Sequence, residues 1–405
     1  MSNFAFGTYR ITDENPQHVQ AIKDAVEAGI TLIDTSSNYM DGHAEKAIAL
    51  ALRSFDEDKR QVIEIVSKFG YIQNTNMALH KEEPFEDVVE FSDSCYHSIS
   101  KTFMLHQLEQ SLLRLEMTKL DCYLIHNPEY FMLDALAKEK DRDEVLDDMY
   151  DRIFDVFVAL EEQIDNGTIG SYGVSSNSFS KAVSDIEYLP YEDLITLASR
   201  AAEVAGNAEH SFTTIELPIN MLEEEGLKCA AWAKKNGLRV LVNRPLNAQK
   251  DEMMFRLAEY DESQEYYHHL NELLDLCDND ELKSLYNLIE QLDTNKHKYG
   301  WLGDYDSFLY TQIIPHIRKA LEGIDGQNFE TMFQYIDMFL IEYRKMVAYE
   351  CSKSTRMQLK ENLGESSGSL QKCALEYLQD KEDIDYILVG MRKPAYVADI
   401  MSLKR

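Results

Sequence analysis

The chain has 405 residues, which is too long for one small module and enough for a large domain that carries an insertion. Its 72 acidic residues outnumber its 40 basic residues, so the formal net charge is −32. Because so acidic a surface repels phosphate groups, we expect no nucleic-acid partner and no binding to an anionic membrane surface.

No part of the sequence approaches the roughly 20 consecutive apolar residues that a membrane-spanning helix needs. The first ten residues also lack the basic and then apolar pattern of a signal peptide. The six cysteines are scattered and form no CxxC pair, which favours reduced thiols over a cysteine-built metal site. Together these features predict a cytoplasmic protein without a metal.

In chain order, the sequence repeats an amphipathic helix, a glycine and a short apolar run. Residues 17–28 predict a helix that ends at Gly29, and the same pattern recurs at 152–174 and at 222–242. The apolar runs predict strands at 4–7, 30–33, 62–66, 122–125, 169–174, 213–217, 238–242 and 386–389.

Strands that alternate with helices indicate a parallel sheet of the α/β class. Eight such strands predict a (β/α)8 TIM barrel, with a doubly wound open sheet as the alternative. The first strand is not followed by a GxGxxG motif, which weighs against an open dinucleotide-binding sheet.

Two long segments interrupt this pattern, an acidic one at 127–150 and a larger one at 251–366. The predicted domains are therefore a barrel at 1–250 and 367–405 and an insertion at 251–366, between the seventh and eighth strands. Apolar residues at helical spacing from 329 to 347 predict that this insertion is mostly helical. Its aromatic residues are interpreted as the core of a helical subdomain rather than the lining of a substrate cleft, and its surface offers a place for a protein partner.

Four polar residues stand at or just beyond the ends of consecutive predicted strands: Asp34, Tyr39, Lys68 and His126. In a parallel barrel these strand ends share one face. A buried lysine beside a tyrosine favours the phenolate and lowers the phenol pKa, and an aspartate beside that lysine keeps it charged. A neighbouring histidine can bind the oxygen that the tyrosine protonates. The four residues therefore predict a proton-delivery site for a carbonyl or an alcohol.

The motifs around these residues resemble those of the aldo-keto reductases, in the order of that family. The motifs are GTY at 7–9, DTSSNY at 34–39, VSKF at 66–69, LDCYLIH at 120–126, GVSSN at 173–177, ELPIN at 216–220, NRPL at 243–246 and GMR at 390–392. The resemblance covers residues 4–250 and 370–402. It implies a (β/α)8 barrel that binds NADPH at the C-terminal face of its strands and transfers hydride to an aldehyde, a ketone or a sugar.

By this resemblance, Tyr39 is the general acid, Lys68 with Asp34 adjusts its acidity, and His126 orients the carbonyl. The resemblance also implies a set of cofactor contacts: Gly7, Thr8, Tyr9, Ser175, Ser176, Asn177, Glu216, Asn243, Arg244, Pro245, Leu246, Gly390, Arg392 and Asp399.

Three parts of the cofactor site depart from the family pattern. Glu216 stands where the family usually has glutamine, and a carboxylate accepts from the nicotinamide NH2 group but cannot donate to its oxygen. Asn243 replaces an aromatic residue that commonly stacks on nicotinamide. Asp399 and Ile400 stand where the family often has Glu-Asn at the adenosine.

The leading functional hypothesis is an NADP(H)-dependent oxidoreductase with a small-molecule carbonyl substrate. A cofactor-binding regulatory or scaffold protein on the same barrel is the alternative. A metal-dependent hydrolase that uses Asp34, Lys68 and His126 is a third hypothesis, weakened by the lack of further histidines at strand ends. His268 and His269 in the insertion are interpreted as a solvated helix face rather than as metal ligands.

Overall fold

The computed structural model describes residues 3–250, 253–322, 326–363 and 368–403. The chain divides into two compact units. The first consists of Met1–Pro245 together with Glu376–Arg405, and the second of Leu246–Leu375. The second unit includes more residues at both ends than the insertion at 251–366 that the sequence predicts.

The strands of the described residues fall into one large sheet and two small ones. In chain order they are β1 (Asn3–Gly7), β2 (Leu32–Asp34), β3 (Glu64–Phe69), β4 (Tyr71–Ile72), β5 (Val89–Ser92), β6 (Cys95–His97), β7 (Cys122–His126), β8 (Tyr172–Ser175), β9 (Phe212–Pro218), β10 (Arg239–Asn243), β11 (Asn247–Lys250), β12 (Met253–Arg256) and β13 (Tyr386–Val389).

Eight of these strands close into a barrel in the order β1-β13-β10-β9-β8-β7-β3-β2, and every pairing in it is parallel. The predicted fold class, a (β/α)8 barrel, is therefore confirmed. Each predicted apolar run overlaps one barrel strand. Gly173 on β8 marks a close approach, because a Cβ atom there would lie 2.0 Å from the Thr214 carbonyl oxygen on β9.

Helices follow most of the barrel strands, and a series of further helices fills the second unit. They are α1 (Pro16–Glu27), α2 (His43–Leu52), α3 (Glu57–Gln61), α4 (Asn74–Glu82), α5 (Lys101–Leu115), α6 (Tyr130–Ala137), α7 (Arg142–Asp165), α8 (Leu194–Ala205), α9 (Gly226–Lys235), α10 (Tyr266–Cys277), α11 (Lys283–Asn295), α12 (Leu302–Phe308), α13 (Ile314–Ala320), α14 (Gly326–Gln358), α15 (Lys360–Leu363), α16 (Leu370–Gln379) and α17 (Pro394–Met401).

The helix starts follow local capping chemistry. Asn15 accepts a hydrogen bond from the Gln17 backbone at the start of α1, with proline at its first position. The acidic segment after β7 is also helical. Asp141 caps α7, so this helix begins ten residues before the predicted start at 152.

Two small antiparallel sheets lie outside the sequence predictions. Strands β4, β6 and β5 form one sheet in the barrel unit, and β11 pairs with β12 in the second unit. Their strands have two to four residues each, which is too short for a clear alternation of apolar and polar residues.

The second unit has a hydrophobic core of its own. The predicted helical pattern corresponds to α14, on which Ile336, Phe339, Tyr343 and Val347 are buried. Tyr343 also donates a hydrogen bond to the Leu292 carbonyl oxygen at 2.8 Å. These side chains pack in the core of a helical subdomain, as the sequence interpretation of the aromatic residues in the insertion predicts. No helix among the described residues is long and apolar enough to cross a membrane.

Candidate active site

The parallel register of the barrel brings the four predicted catalytic residues to one end of neighbouring strands. Asp34 is the last residue of β2, Lys68 lies near the end of β3, and His126 is the last residue of β7. Tyr39 begins a short 3-10 turn after β2. The C-terminal ends of adjacent parallel strands lie side by side, so these side chains converge.

Lys68 is completely buried and lies between two carboxylates. Its ammonium donates to Asp34 Oδ1 and to the Thr35 carbonyl oxygen, the latter at 3.0 Å. On its other side, Glu216 Oε2 lies 3.2 Å from Lys68 Nζ. The carboxylates outweigh burial and raise the pKa of Lys68, so the ammonium stays charged.

Tyr39 is half-buried beside this charged group. Lys68 Nζ lies 5.4 Å from the centroid of the Tyr39 ring, and the rings of Tyr9 and His126 meet Tyr39 edge-on. Burial raises the pKa of Tyr39, and the charge of Lys68 only opposes this. The sequence predicts a lowered phenol pKa. The prediction is right that the charge of Lys68 lowers the phenol pKa. Burial raises this pKa by more than Lys68 lowers it, so Tyr39 is a protonated phenol at neutral pH.

His126 is a buried, neutral imidazole. Its Nδ1 and Ser36 Oγ are hydrogen-bonded at 3.1 Å. Burial first, and then the charge of Lys68, hold the pKa of His126 well below its usual range. Because the ring is neutral and one nitrogen is already bonded to Ser36, its orientation is fixed and the other nitrogen can bind a substrate oxygen.

Two aromatic residues, His97 and Tyr130, support His126 from behind, and the sequence does not reveal them. His97 on β6 donates from Nε2 to the His126 carbonyl oxygen at 2.7 Å, and its ring stacks on Tyr130. Gly70 permits this contact, because a Cβ atom there would lie 2.6 Å from His97 Nε2, and its φ is +150°. Burial lowers the pKa of His97 to about 4, so this ring is neutral too.

Glu216 on β9 links the lysine to two predicted cofactor residues. Its Oε1 accepts from Ser175 Oγ at 3.1 Å and from Asn243 Nδ2 at 2.9 Å, while Oε2 faces Lys68. The Asn243 Oδ1 atom is buried and makes no hydrogen bond among the described residues. Ser175 and Glu216, which are predicted near the nicotinamide carboxamide, and Asn243, which replaces the stacking aromatic residue, therefore lie together at or near the ends of β8, β9 and β10.

The next two predicted residues form a connected group with a carboxylate that the sequence analysis does not single out. Ser176 Oγ donates to Glu129 at 2.8 Å, and the Asn177 backbone N–H donates to the same carboxylate at 2.9 Å. Burial raises the pKa of Glu129 to about 7. Ser176 is buried and points to Glu129, whereas Asn177 is exposed and its amide donates to Asn127 Oδ1 at 3.2 Å.

The predicted residues after β1 lie beside Asp34. Gly7 pairs with Asp34 in the barrel, and the backbone and hydroxyl of Thr8 both donate to the Asp34 carbonyl oxygen. Tyr9 is exposed and touches Tyr39.

The residues after β10 leave the barrel in a strained turn. Arg244 has φ of +51°, and its guanidinium donates to Glu223 at 2.6 Å. Pro245 is the last residue of this part of the barrel unit, and Leu246 is the first of the second unit. Both are buried.

The remaining predicted cofactor residues surround α17. Gly390 and Arg392 are exposed in the link from β13 to this helix, and Lys393 is its N-terminal cap residue. Asp399 is exposed near the other end of α17, where its carbonyl oxygen accepts from Ser402 Oγ at 2.6 Å. Arg392 and Asp399 therefore lie at different ends of the same helix.

A family model described as "Aldo/keto reductase family" matches residues 3–403. The chain belongs to the aldo/keto reductase family. This confirms the resemblance that the strand-end motifs carry.

Three aldo-keto reductases show distant similarity to this chain. Aldo-keto reductase YhdN of Bacillus subtilis (strain 168) is 25% identical over 157 residues, which span 37% of this chain and 40% of that protein. The holo structure of aldo-keto reductase AKR11C1 from Bacillus halodurans is 14% identical, with coverage of 99% of this chain and 86% of that one and a TM-score of 0.49. An aldo/keto reductase from Klebsiella pneumoniae, in complex with NADP and acetate, is 22% identical over 60% of this chain and 64% of that one, with a TM-score of 0.38.

Outside the barrel of this aldo/keto reductase, His268 and His269 lie on α10 of the second unit. Glu272 Oε2 lies 3.4 Å from His268 Nε2 and 3.5 Å from His269 Nδ1. His268 is largely exposed. The sequence interpretation of these residues as a solvated helix face, rather than as metal ligands, stays a prediction.

Proposed function

We propose that the chain is an NADP(H)-dependent oxidoreductase that transfers hydride between the cofactor and a carbonyl or alcohol substrate, an aldehyde, a ketone or a sugar. The observation that carries this proposal is the buried Lys68–Asp34 pair beside a protonated Tyr39 and a neutral His126. Membership of the aldo/keto reductase family supports it.

The residues at the ends of β8 to β10 fit a nicotinamide carboxamide. Asn243 Oδ1 is a buried acceptor without a hydrogen bond among the described residues, and the Ser175 hydroxyl and the Asn243 amide nitrogen both donate to Glu216 Oε1. An amide NH2 group can satisfy such an acceptor. We assign the carboxamide to Ser175, Glu216 and Asn243, and the 2′-phosphate to the residues before α17.

The proton chemistry follows from the state of each side chain. Bound NADPH would supply the hydride. Tyr39 carries the proton that a carbonyl oxygen needs when it becomes an alcohol. Lys68 stabilises the phenolate that remains, because its ammonium stays charged in the buried site. His126 binds the same oxygen through its free nitrogen and so directs the carbonyl towards Tyr39.

The test is an assay with NADPH and a panel of aldehydes, ketones and sugars, in which the loss of NADPH absorbance measures turnover. Turnover of at least one class is the expected result. Cofactor binding without turnover would instead favour the regulatory or scaffold alternative, and the absence of cofactor binding would contradict both.

Arg392→Ala is expected to weaken NADPH binding by about 1.5–3 kcal/mol, the range for a hydrogen bond to a charged group. Arg392 stands just before α17, where a guanidinium can bind the 2′-phosphate that distinguishes NADPH from NADH. Binding of NADH should change little, so this second cofactor is the matched control. Titration of both cofactors against both proteins measures the effect.

Salt provides an independent measure of the same contact. In the parent protein, higher ionic strength should reduce the preference for NADPH over NADH, because exposed charges are screened. Equal losses for NADPH and NADH in Arg392→Ala would show that Arg392 does not recognise the 2′-phosphate.

A further inference from the structure

The barrel holds an unbalanced group of charges around Lys68. Asp34 and Glu216 approach the same ammonium from two sides, and the side chains of all three residues are at most 5% exposed. Two carboxylates and one ammonium would leave a net charge of −1 on side chains that are almost completely buried. A buried, uncompensated charge is costly, so such a site takes up a proton instead.

The proton is held on the Asp34 side of the trio. Burial, and then the charge of Glu216, raise the pKa of Asp34 well above its usual range, although Lys68 opposes this. Burial and the neighbouring charge of Glu216 therefore favour the protonated form of Asp34. With this proton, the Asp34–Lys68–Glu216 trio is electrically neutral.

We propose that the Asp34–Lys68–Glu216 trio is a proton-linked sensor of the redox state of the cofactor: binding of the oxidised, cationic nicotinamide releases one proton from the trio to water, whereas binding of the reduced, neutral ring releases none. This inference rests on the proposed function, because it places the ring beside Glu216. In the release step a carboxyl O–H bond breaks, and the trio changes from neutral to −1. The positive charge of the ring balances that change.

Glutamate rather than glutamine at position 216 is what makes this possible. A glutamine there would leave one carboxylate opposite one ammonium, a balanced pair with no proton to release. Glu216 also contacts Ser175 and Asn243, the residues to which we assign the carboxamide, so the trio extends from the lysine to the proposed ring position.

The other titratable groups that face the trio do not supply the proton in this scheme. Tyr39 and His126 lie next to Lys68, and Tyr9 lies beyond Tyr39. Burial keeps His126 neutral and Tyr39 protonated around neutral pH. Glu129 is a rival source of the proton, because burial raises its pKa to about 7 and it binds the neighbouring Ser176.

The experiment is the pH dependence of the dissociation constants of NADP+ and NADPH. A protonated trio opposes the cation, so NADP+ binding should tighten as pH rises, by up to about tenfold per pH unit while one proton is released. NADPH carries the same phosphates and should show a much flatter profile. Titration of phosphate-binding residues affects both dissociation constants equally, so its contribution cancels in their ratio.

Two matched variants identify the source of the proton. Glu216→Gln should give NADP+ and NADPH the same pH dependence of binding. Glu129→Gln, the same change at the rival carboxyl group, should leave the steeper pH dependence of NADP+ binding in place. Calorimetry of the parent protein in buffers of different ionisation enthalpy counts the released proton directly and needs no variant. It should find about one proton for NADP+ and none for NADPH.

Parallel profiles in the parent protein would overturn the inference, as would a difference that persists in Glu216→Gln or disappears in Glu129→Gln. These outcomes leave the proposed function intact, because both cofactors still bind. The absence of binding by either cofactor would instead overturn the proposed function, and this inference with it.

Discussion

Tyr39→Phe is expected to lower turnover by about 10²–10⁴-fold, the range for loss of a positioned general acid. The substitution removes the phenolic hydroxyl and keeps the ring that packs edge-on against Tyr9 and His126. Packing and cofactor binding should therefore change little, and the loss should fall on the rate of the chemical step. Steady-state kinetics on the best substrate of the panel, together with NADPH titration, separates these two effects.

The matched control is Tyr310→Phe, the same change at a largely exposed tyrosine of the second unit. It should leave kinetics and cofactor affinity unaltered. If Tyr39→Phe turns over as fast as the parent on a good substrate, another group delivers the proton. In that case the site keeps its buried ion pair but loses the role that we assign to Tyr39.

Much of the barrel is predictable from the sequence because its strands are buried on both sides. Continuous apolar runs mark such strands, and the glycines before them mark the ends of helices. The run at 62–66 shows the limit of this approach. The strand in fact continues through Lys68 to Phe69, because Lys68 finds two carboxylates inside the barrel. An apolar pattern cannot reveal a charged residue whose partners are distant in sequence.

The four strand-end residues are predictable as a group because parallel topology places them on one face. The contacts that support these four residues are not predictable from the sequence. His97 bonds to the backbone of His126, and Glu129 bonds to Ser176, through contacts between segments far apart in the chain. The balance between burial and charge at Tyr39 also depends on packing, so the sequence indicates the effect of Lys68 but not the net pKa.

Lys68→Met is the second variant with a large expected effect, a loss of activity together with about 3–5 kcal/mol of stability. Methionine fills a similar volume but leaves Asp34 and Glu216 buried without their shared ammonium. The free energy of unfolding, measured by denaturant titration, should fall most at high pH. A buried carboxyl with a raised pKa binds a proton in the folded state that the unfolded state lacks, so folding weakens as pH rises.

Two comparisons isolate this effect. Asp34→Asn should be milder, because Lys68 keeps Glu216 as a partner 3.2 Å away and the pair stays balanced. Lys46→Met, at an exposed lysine on α2, should have little effect on stability and show no such pH dependence. A Lys68→Met protein as stable and active as the parent would mean that the buried ion group does not form. If its stability loss were instead the same at every pH, the loss would come from packing rather than from the unbalanced carboxyl groups.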